Sequence, residues 1–254
     1  MHDWIIPDWP APSNVKAIFT TRKGGVSSGP NDTYAALNLG DHVNDDPGNV
    51  AHNRTLLRPY LPEEPNWLKQ VHGTLPVWMN DDVPAPEGDA ALSRHYRRVC
   101  AVMVADCLPV FLCDTEGTVV GIVHAGWRGL AAGIIEQSVA AIRDSNGNKK
   151  LMAWLGPAIG PNHFEVGEAV REVFISYDSQ SDLAFVRPHD NTSDKWLADL
   201  FLLARQRLAA IGVTEIYGGG VCTFSDPARF FSYRRDGETG RMAALIWLER
   251  SSPF

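Results

Sequence analysis

The sequence predicts mixed β-sheets covered by helices. Apolar runs of strand length recur along the chain, together with segments whose apolar residues follow a helical period. The two kinds of segment alternate only in part, because the strand-like runs 99–105 and 118–124 follow one another with no predicted helix between them. Regular alternation would instead favour a doubly wound parallel sheet. A chain of 254 residues can bury a sizeable core. Since it carries no internal repeat and no low-complexity linker, we expect a single domain.

Each element follows from its local pattern. Strands are predicted, in chain order, over 15–21, 67–72, 99–105, 118–124, 151–155, 214–218 and 241–248. Helices are predicted over 46–60, 129–143, 165–177 and 194–211. The last helix has apolar residues at helical period from Leu197 to Leu208, and Asp194 is its predicted N-cap. The polar segments 80–97 and 144–150 are predicted to be a surface loop and a turn.

Composition excludes several classes of protein. The chain is 44% hydrophobic and 21% charged, with a formal net charge of −7, which argues against nucleic acid or an anionic membrane as its main partner. The N-terminus lacks the basic-then-apolar pattern of a signal peptide. The apolar stretch 99–113 is too short to span a bilayer and is interrupted by Asp106 and Pro109. The cysteines show no CxxC spacing, so neither a zinc knuckle nor a disulfide framework is expected. We therefore expect a cytoplasmic protein with reduced thiols.

Three predicted strands end in residues that can bind a metal. "WLKQVHG" ends at His72, "VMVADCLPV" places Cys107 after Asp106, and "VVGIVHAGW" ends at His124. Strand ends are where ligands converge in α/β-type domains, so the three side chains are expected to meet. Two imidazoles and one thiolate leave a fourth position for water, which is the pattern of a catalytic zinc site, although copper uses the same donors. Two other interpretations stay open, in which these are ordinary buried residues or Cys107 is a nucleophile with a histidine as its base.

Other segments suggest an anion-binding pocket. In "HAGWRGL" two glycines allow close backbone approach to a ligand, and a helix N-terminus next to Arg128 attracts negative charge. A plain turn with a surface arginine gives the same pattern. Further candidates for contact with substrate are Arg22, Asn38, Arg54 and Arg234, although arginines of this kind are more often solvated surface charges. Aromatic residues such as Trp127 and Phe164 are candidates for stacking on a planar ligand.

Taken together, the motifs resemble those of one known family. They are, in chain order, "TTRKGGVS", "LNLG", "KQVHG", "GDA", "ADCLPV", "HAGWRGL", "LGPAIGP", "FEVG" and "FFSYRRDGETGR". This series resembles the peptidoglycan editing factor family, whose members are also called multicopper polyphenol oxidase (laccase) domain proteins and purine nucleoside phosphorylases. The resemblance extends over nearly the whole chain.

The resemblance implies a fold, a metal site and an activity. The fold is α+β, a compact layered sandwich of mixed β-sheets flanked by helices, here a single catalytic domain over residues 1–254. The family's metal ligands correspond to His72 in "QVHG", Cys107 in "ADC" and His124 in "HAGW", which would also be the catalytic residues. The implied activity is zinc-dependent phosphorolysis of adenosine, inosine and methylthioadenosine, with adenosine deamination as a second activity. Copper-linked phenol oxidation and removal of cell-wall precursors that carry a wrong amino acid are also attributed to relatives.

These observations lead to one prediction and its alternatives. We predict a cytoplasmic zinc (Zn) enzyme that acts on small molecules, a purine nucleoside and phosphate, with no nucleic-acid or membrane partner. Asp106 is a candidate proton carrier. The alternatives are a copper (Cu) polyphenol oxidase, a cysteine hydrolase of cell-wall precursors, and a non-catalytic nucleoside-binding or partner-binding protein. The oxidase is disfavoured because the chain lacks the His-X-His pairs that multinuclear copper clusters use.

Overall fold

Three β-sheets form the framework of the protein, in a computed structural model that describes residues 2–79, 85–188 and 194–250. The strands are β1 (Val15–Phe19), β2 (Asn66–Trp67), β3 (Pro76–Trp78), β4 (Ala90–Ser93), β5 (Cys100–Val104), β6 (Leu108–Asp114), β7 (Val120–Ala125), β8 (Leu151–Leu155), β9 (Glu165–Gly167), β10 (Phe185–Val186), β11 (Lys195–Ala198), β12 (Glu215–Gly218) and β13 (Met242–Leu248). The α-helices are α1 (Pro47–Thr55), α2 (Trp127–Ala132), α3 (Ile134–Asn146), α4 (Glu168–Tyr177), α5 (Leu200–Ala210) and α6 (Tyr233–Asp236). Short 3-10 turns cover Pro30–Asp32, Arg58–Tyr60 and Ser179–Ala184.

The largest sheet has six strands in the order β12-β8-β6-β7-β4-β3. Its two end pairs, β12–β8 and β3–β4, are parallel, and its inner pairs are antiparallel, so the sheet is mixed. Every residue of β6 and β7 is buried, so these central strands contact packed layers on both faces. In the sequence, strands that are covered on both faces are continuous apolar runs, without the alternation of apolar and polar residues that half-exposed strands have.

The other two sheets and the helices complete the layers. A four-stranded sheet, β1-β13-β5-β2, packs on one face of the six-stranded sheet, and the two share a core that includes Phe111 of β6 and Ala244 of β13. On the opposite face, Leu112 packs among residues of α3 and α5. This difference follows from the period of two in a strand, which turns successive side chains to opposite faces. The third sheet has three strands, in the order β10-β11-β9, and shares no strand with the other two sheets. The predicted α+β arrangement of mixed sheets flanked by helices is confirmed.

Several element boundaries differ from the prediction. The helix predicted over 129–143 is two helices, α2 and α3, because Gly133 between them has a left-handed backbone with φ of 99°. The helix predicted over 194–211 begins only at Leu200, and Asp199 is its N-cap instead of Asp194, since the Asp199 carboxylate accepts hydrogen bonds from two backbone N–H groups of the first turn. The segment before it is strand β11, which pairs with β9.

Three more differences involve strands. Strand β6 is absent from the predicted set, because Asp106 and Pro109 interrupt its apolar pattern. Asp106 in fact forms the turn between β5 and β6, with a left-handed φ of 87°. The strand predicted over 67–72 forms a short strand, β2, at Asn66–Trp67 and one isolated bridge from Lys69 to Glu87. The surface loop predicted over 80–97 is wrong at Ala90–Ser93, which form the fully buried strand β4, and residues 80–84 of that segment lie outside the described residues. Among the residues that the structure does describe, no helix is long and apolar enough to cross a membrane.

The burial of β6 predicts a large effect on stability. Leu112 is fully buried at the centre of the six-stranded sheet, whereas Leu183 is 70% exposed. We expect Leu112→Ala to lower the free energy of unfolding by about 2–5 kcal/mol, because it removes apolar contacts and leaves a cavity. Leu183→Ala should change it by less than about 0.5 kcal/mol. Urea denaturation of both variants measures the difference, and equal midpoints would contradict the assignment of β6 to the core.

Candidate metal centre and active site

The side chains of His72, Cys107 and His124 lie together in one cavity. Their potential ligand atoms are all within 4.8 Å of one another, and the Cys107 Sγ is 3.9 Å from the His72 Nε2. Tetrahedral zinc needs donor atoms about 3.3–3.6 Å apart, as follows from Zn–N bonds of about 2.0–2.1 Å and a Zn–S bond of about 2.3 Å. Small side-chain movements would bring the three donors to that spacing. The residues therefore fit a metal held by two nitrogens and one sulfur.

Each of the three side chains comes from a different structural element. His124 is near the end of strand β7 and is buried. Cys107 lies in the turn between β5 and β6, directly after Asp106. His72 lies in the loop that follows β2, is exposed to the cavity side, and has a left-handed backbone with φ of 59°. A left-handed backbone costs a non-glycine residue about 1–3 kcal/mol, so the surrounding contacts must hold this loop in place.

The carboxylate of Asp89 supplies those contacts. Its Oδ1 lies 2.8 Å from the His124 Nδ1 and also accepts a hydrogen bond of 2.9 Å from the backbone N–H of His72. Its Oδ2 accepts hydrogen bonds from the backbone N–H groups of Gly73 and Val71, at 2.7 and 3.2 Å. Burial alone would raise the pKa of Asp89, but the bonds from His124 and from the loop lower it. One ionised carboxylate thus orients an imidazole and the loop that carries the second imidazole.

Asp89 also decides which nitrogen of His124 faces the other two residues. With Nδ1 bonded to the carboxylate, Nε2 is the ring nitrogen left for a ligand. A carboxylate behind a histidine in this way is the usual arrangement around zinc-bound imidazoles. The predicted set of site residues does not include Asp89, although it precedes the "AALS" segment that becomes strand β4. Its acidic side chain next to a fully buried strand is the signal that the sequence offers.

Gly126 explains why the segment after His124 is "AGWRG". A Cβ atom at this position would lie 2.9 Å from the Cys107 Sγ and 3.2 Å from the His72 Cδ2. Any side chain here would therefore displace two of the three candidate ligands. Gly126 is also the N-cap of the short helix α2, so the chain turns away from the site at the closest point of approach.

The two partners Cys107 and His124 shift each other's pKa. Burial would raise the pKa of the Cys107 thiol, but the charge of His124 and hydrogen bonds with His124 and His72 outweigh it and lower the pKa. Burial would lower the pKa of His124, but the Cys107 charge and the bond to Asp89 raise it. The physical cause is shared, since a thiolate and an imidazolium stabilise one another. The thiolate is the form of cysteine that binds metals and also the form that acts as a nucleophile.

A cavity of about 520 Å³ opens over the cluster, a volume typical of small-molecule sites. Its walls include three aromatic side chains, and a guanidinium lies near each of them. The pairs are Arg128 over Trp127 at 4.5 Å, Arg234 over Phe164 at 5.3 Å and Arg241 over Tyr233 at 6.0 Å from the ring centroid. The cavity therefore combines a candidate metal site, flat apolar walls and positive charge.

The structure separates the predicted substrate-binding residues into two groups. Arg128 and Arg234 line the cavity, whereas Arg22, Asn38 and Arg54 are not among its lining residues. Arg22 donates to three backbone carbonyls, those of residues 32, 35 and 227. Arg54 donates to the Leu39 carbonyl and pairs with a neighbouring aspartate. The role of these residues toward substrate stays a prediction.

Asn38 and Asp106, two candidates from the sequence, make structural contacts that differ from their predicted roles. Asn38 is buried, and its Oδ1 accepts a hydrogen bond of 2.9 Å from the backbone N–H of Arg241, a cavity residue outside the predicted set. Asp106, the candidate proton carrier, accepts bonds at both carboxylate oxygens, from Thr223 and Ser232 hydroxyls and from the Arg234 backbone N–H. These contacts join three loops around the cavity, so the geometry favours a positioning role for Asp106 over proton transfer.

Comparison with known proteins places this chain among close relatives. Residues 16–249 match the family described as multi-copper polyphenol oxidoreductase laccase. A protein of Pseudomonas aeruginosa named purine nucleoside phosphorylase is 50% identical over 98% of this chain and 100% of its own length. The Escherichia coli protein named purine nucleoside phosphorylase YfiH is 49% identical over the same shares of the two chains.

Solved structures agree with this placement. The crystal structure of a Neisseria meningitidis protein superposes with a TM-score of 0.88 at 44% identity and covers 98% of this chain and 100% of that chain. YlmD from Geobacillus stearothermophilus superposes with a TM-score of 0.85 at 31% identity and covers 95% of this chain and 94% of that chain. The shared fold extends over all three sheets.

Substitution of Gly126 tests the close approach at the cluster. Gly126→Ala should weaken zinc binding by about 10- to 100-fold, because the new methyl group displaces the Cys107 sulfur. Gly167→Ala is a matched control, since Gly167 is also a helix N-cap with extended backbone, and a Cβ there would have no neighbouring atom within 4 Å. Competition with a chromophoric chelator measures both affinities. Equal affinities in the two variants would show that the cluster does not bind the metal.

Substitution of Asp89 tests the orienting carboxylate. Asp89→Asn should lower zinc affinity by about 10- to 100-fold, because an amide cannot accept all the bonds that the carboxylate accepts. Asp114→Asn is the matched control. Asp114 is also fully buried and accepts bonds from the backbone N–H groups of Thr118 and Val119, but it is not among the cavity residues. Both variants should lose stability, and only the first should lose zinc affinity. A similar loss of affinity in both would refute an orienting role.

Proposed function

The chain belongs to the multi-copper polyphenol oxidoreductase laccase family, and we propose that it is a zinc-dependent purine nucleoside phosphorylase of that family. The proposed substrates are adenosine, inosine and methylthioadenosine, with adenosine deamination as a second activity in the cytoplasm. The observation that carries the proposal is one cavity that contains a His-Cys-His cluster, aromatic walls and guanidinium groups. The names of full-length relatives at 49–50% identity support it.

The side chains of the cavity suit the two substrates. A purine is flat and apolar on its faces, and Trp127, Phe164 and Tyr233 offer aromatic surfaces for stacking. Phosphate is a doubly charged anion, and guanidinium groups bind such anions with paired, charge-assisted hydrogen bonds. His72, Cys107 and His124 would hold zinc, which would supply Lewis acidity beside the bound nucleoside. Asp89 and Asp106 keep the loops that carry these groups in place.

Binding both substrates in one cavity accounts for much of the expected catalysis. Phosphorolysis joins two molecules, so holding them in contact removes much of the entropic barrier to their reaction. In the reaction, a phosphate oxygen bonds to the anomeric carbon of the ribose while the bond from that carbon to the purine nitrogen breaks. The electron pair of the broken bond stays with the purine, which takes the proton released by phosphate. The positive charge at the cavity wall keeps the phosphate facing the sugar.

A second candidate function is favoured by one specific observation. Asp89, His124 and Cys107 form a chain of contacts in which a carboxylate orients an imidazole beside a thiol of lowered pKa. Cysteine hydrolases use this arrangement to activate a nucleophile. The substrate class in that case would be cell-wall precursors. Metal dependence distinguishes the two functions, because a sulfur that binds zinc is not free to attack a carbonyl group.

Copper-dependent phenol oxidation has less support from the geometry. Reduction of dioxygen by laccases needs several copper ions in contact with one another. Among the residues that the structure describes, the His72, Cys107 and His124 cluster is the single group of at least three histidine, cysteine or acidic side chains with metal-binding spacing. One mononuclear site of this kind suits a Lewis acid better than a four-electron oxidase.

Substitution of Cys107 tests the proposal against the hydrolase. Cys107→Ser should lower zinc content and phosphorolysis of adenosine together, because a neutral hydroxyl is a much weaker zinc donor than a thiolate. Cys222→Ser should keep both, since Cys222 is not among the cavity residues. A chelator should abolish turnover of the unmodified protein, and added zinc should restore it. Metal content by atomic emission and adenine release by chromatography measure the two quantities. Full activity of the metal-free protein, lost on alkylation of Cys107 alone, would establish the cysteine hydrolase instead.

A further inference from the structure

Arg241 differs from the other two guanidiniums of the cavity in its exposure to solvent. Arg128 and Arg234 are exposed, whereas Arg241 is partly buried. An exposed guanidinium is stabilised by water and needs no counter-ion. A guanidinium that is withdrawn from water is costly unless an anion or enough hydrogen-bond acceptors compensate for the lost hydration. Arg241 therefore needs hydrogen-bond acceptors or an anion to replace the water that it has lost.

The protein provides hydrogen-bond acceptors for only one nitrogen of the Arg241 guanidinium. Its Nη1 donates to the carbonyl oxygens of Thr239 and Gly240, at 2.7 and 3.1 Å. Within the described ranges, neither Nε nor Nη2 has a hydrogen-bond acceptor, and no carboxylate oxygen lies within 4.0 Å of the guanidinium. The remaining N–H donors belong to a side chain that lines the cavity. They are thus available to a ligand.

The surrounding backbone fixes Arg241 in this position. Its N–H donates to the Asn38 Oδ1 at 2.9 Å, and its carbonyl accepts from the Leu39 N–H at 3.1 Å. Gly40 makes room for the aliphatic part of the side chain, because a Cβ there would lie 2.8 Å from the Arg241 Cγ. A guanidinium held at both its base and its Nη1 loses little entropy when it binds an anion. Preorganisation of this kind favours tight binding.

A second donor lies on the same wall. His42 lines the cavity together with Arg241, and burial and the positive charge of Arg241 lower the pKa of the imidazole. A neutral imidazole donates one hydrogen bond, and because the His42 Nδ1 lies 3.7 Å from the Asp41 Oδ1, Nε2 is the ring nitrogen that is not next to this carboxylate. Gln70, another lining residue, donates one amide N–H to the Met103 carbonyl and accepts from the Met103 N–H, which leaves one neutral amide donor and no charge for an anion. Arg241 therefore supplies the positive charge for an anion here, and His42 supplies a neutral donor when its Nε2 carries the proton.

We propose that Arg241 and His42 form the phosphate subsite of the cavity. This assignment rests on the proposed phosphorylase function and names the side chains that hold its second substrate. The ligand is inorganic phosphate. Its free oxygen bonds to the anomeric carbon, and its proton ends on the purine nitrogen that leaves, so the step needs no further reactant.

The test compares three guanidiniums of one cavity. Arg241→Gln should raise the KM for phosphate by about 10- to 100-fold, the loss expected for charge-assisted hydrogen bonds, while the KM for inosine changes by less than about threefold. Arg241→Lys keeps the charge and should recover part of the phosphate affinity. Arg128→Gln and Arg234→Gln should raise the KM for phosphate less than Arg241→Gln does. If either of them raises it more, the subsite belongs to that residue and the proposal is wrong.

A binding measurement separates this proposal from the proposed function. Inorganic phosphate should raise the melting temperature of the zinc-loaded protein, and Arg241→Gln should abolish that shift. If phosphate binds through Arg241 but no nucleoside is cleaved, the subsite stands and the phosphorylase function fails. If phosphorolysis occurs and Arg241→Gln leaves the KM for phosphate unchanged, the function stands and the subsite fails. Stabilisation by adenosine monophosphate through Arg241, without any by inorganic phosphate, would also overturn the proposal, since the site would then recognise a nucleotide.

Discussion

The hydrogen bonds accepted by the Asp89 carboxylate are the interaction on which the candidate site depends. They hold the loop of His72 in a left-handed conformation and fix the ring of His124 at the same time. The carboxylate is fully buried, so each bond forms in a medium of low dielectric, where charge-assisted bonds are strong. The two imidazoles come from segments that are far apart in the sequence. Asp89 is bonded to both segments and so fixes their positions relative to each other.

The third candidate ligand, Cys107, is positioned by a second carboxylate, that of Asp106. The turn between β5 and β6 presents Cys107, and Asp106 holds that turn by accepting bonds from Thr223, Ser232 and the Arg234 backbone. The last of these segments also carries the cavity side chains of Tyr233 and Arg234, so one carboxylate connects the turn of Cys107 to these two residues. Two buried acidic residues thus set the geometry of a cavity that contains the thiol and two imidazoles of the cluster and several guanidiniums.

Local patterns in the sequence predict much of the framework. Strand β8 has the predicted bounds, and the ends of three apolar runs place His72, Cys107 and His124 where the structure brings them together. Prediction is less accurate where tertiary contacts override local preference. Strand β6 escapes prediction because Asp106 and Pro109 interrupt its pattern, and the predicted start of α5 is wrong because Asp199 caps the helix after a short strand.

The supporting residues of the site could not be predicted in the same way. Asp89 and Arg241 act through contacts with segments far away in the sequence, and the motifs that contain them, "GDA" and "FFSYRRDGETGR", do not show which groups their side chains contact. Asn38, a predicted substrate contact, instead accepts a hydrogen bond from the backbone N–H of Arg241. Identifying such groups requires the distances between side chains, since burial and hydrogen-bond partners decide whether a charge serves a ligand or the fold.

The most direct test of the metal centre is X-ray absorption spectroscopy at the zinc edge on protein reconstituted with one equivalent of zinc. The cluster predicts one sulfur at about 2.3 Å and two imidazole nitrogens at about 2.0–2.1 Å, with one lighter ligand completing the tetrahedron. The same spectrum of Cys107→Ser should lose the sulfur contribution. A spectrum of the unmodified protein with nitrogen and oxygen ligands alone would contradict the account, because the thiolate of Cys107 would then lie outside the coordination sphere.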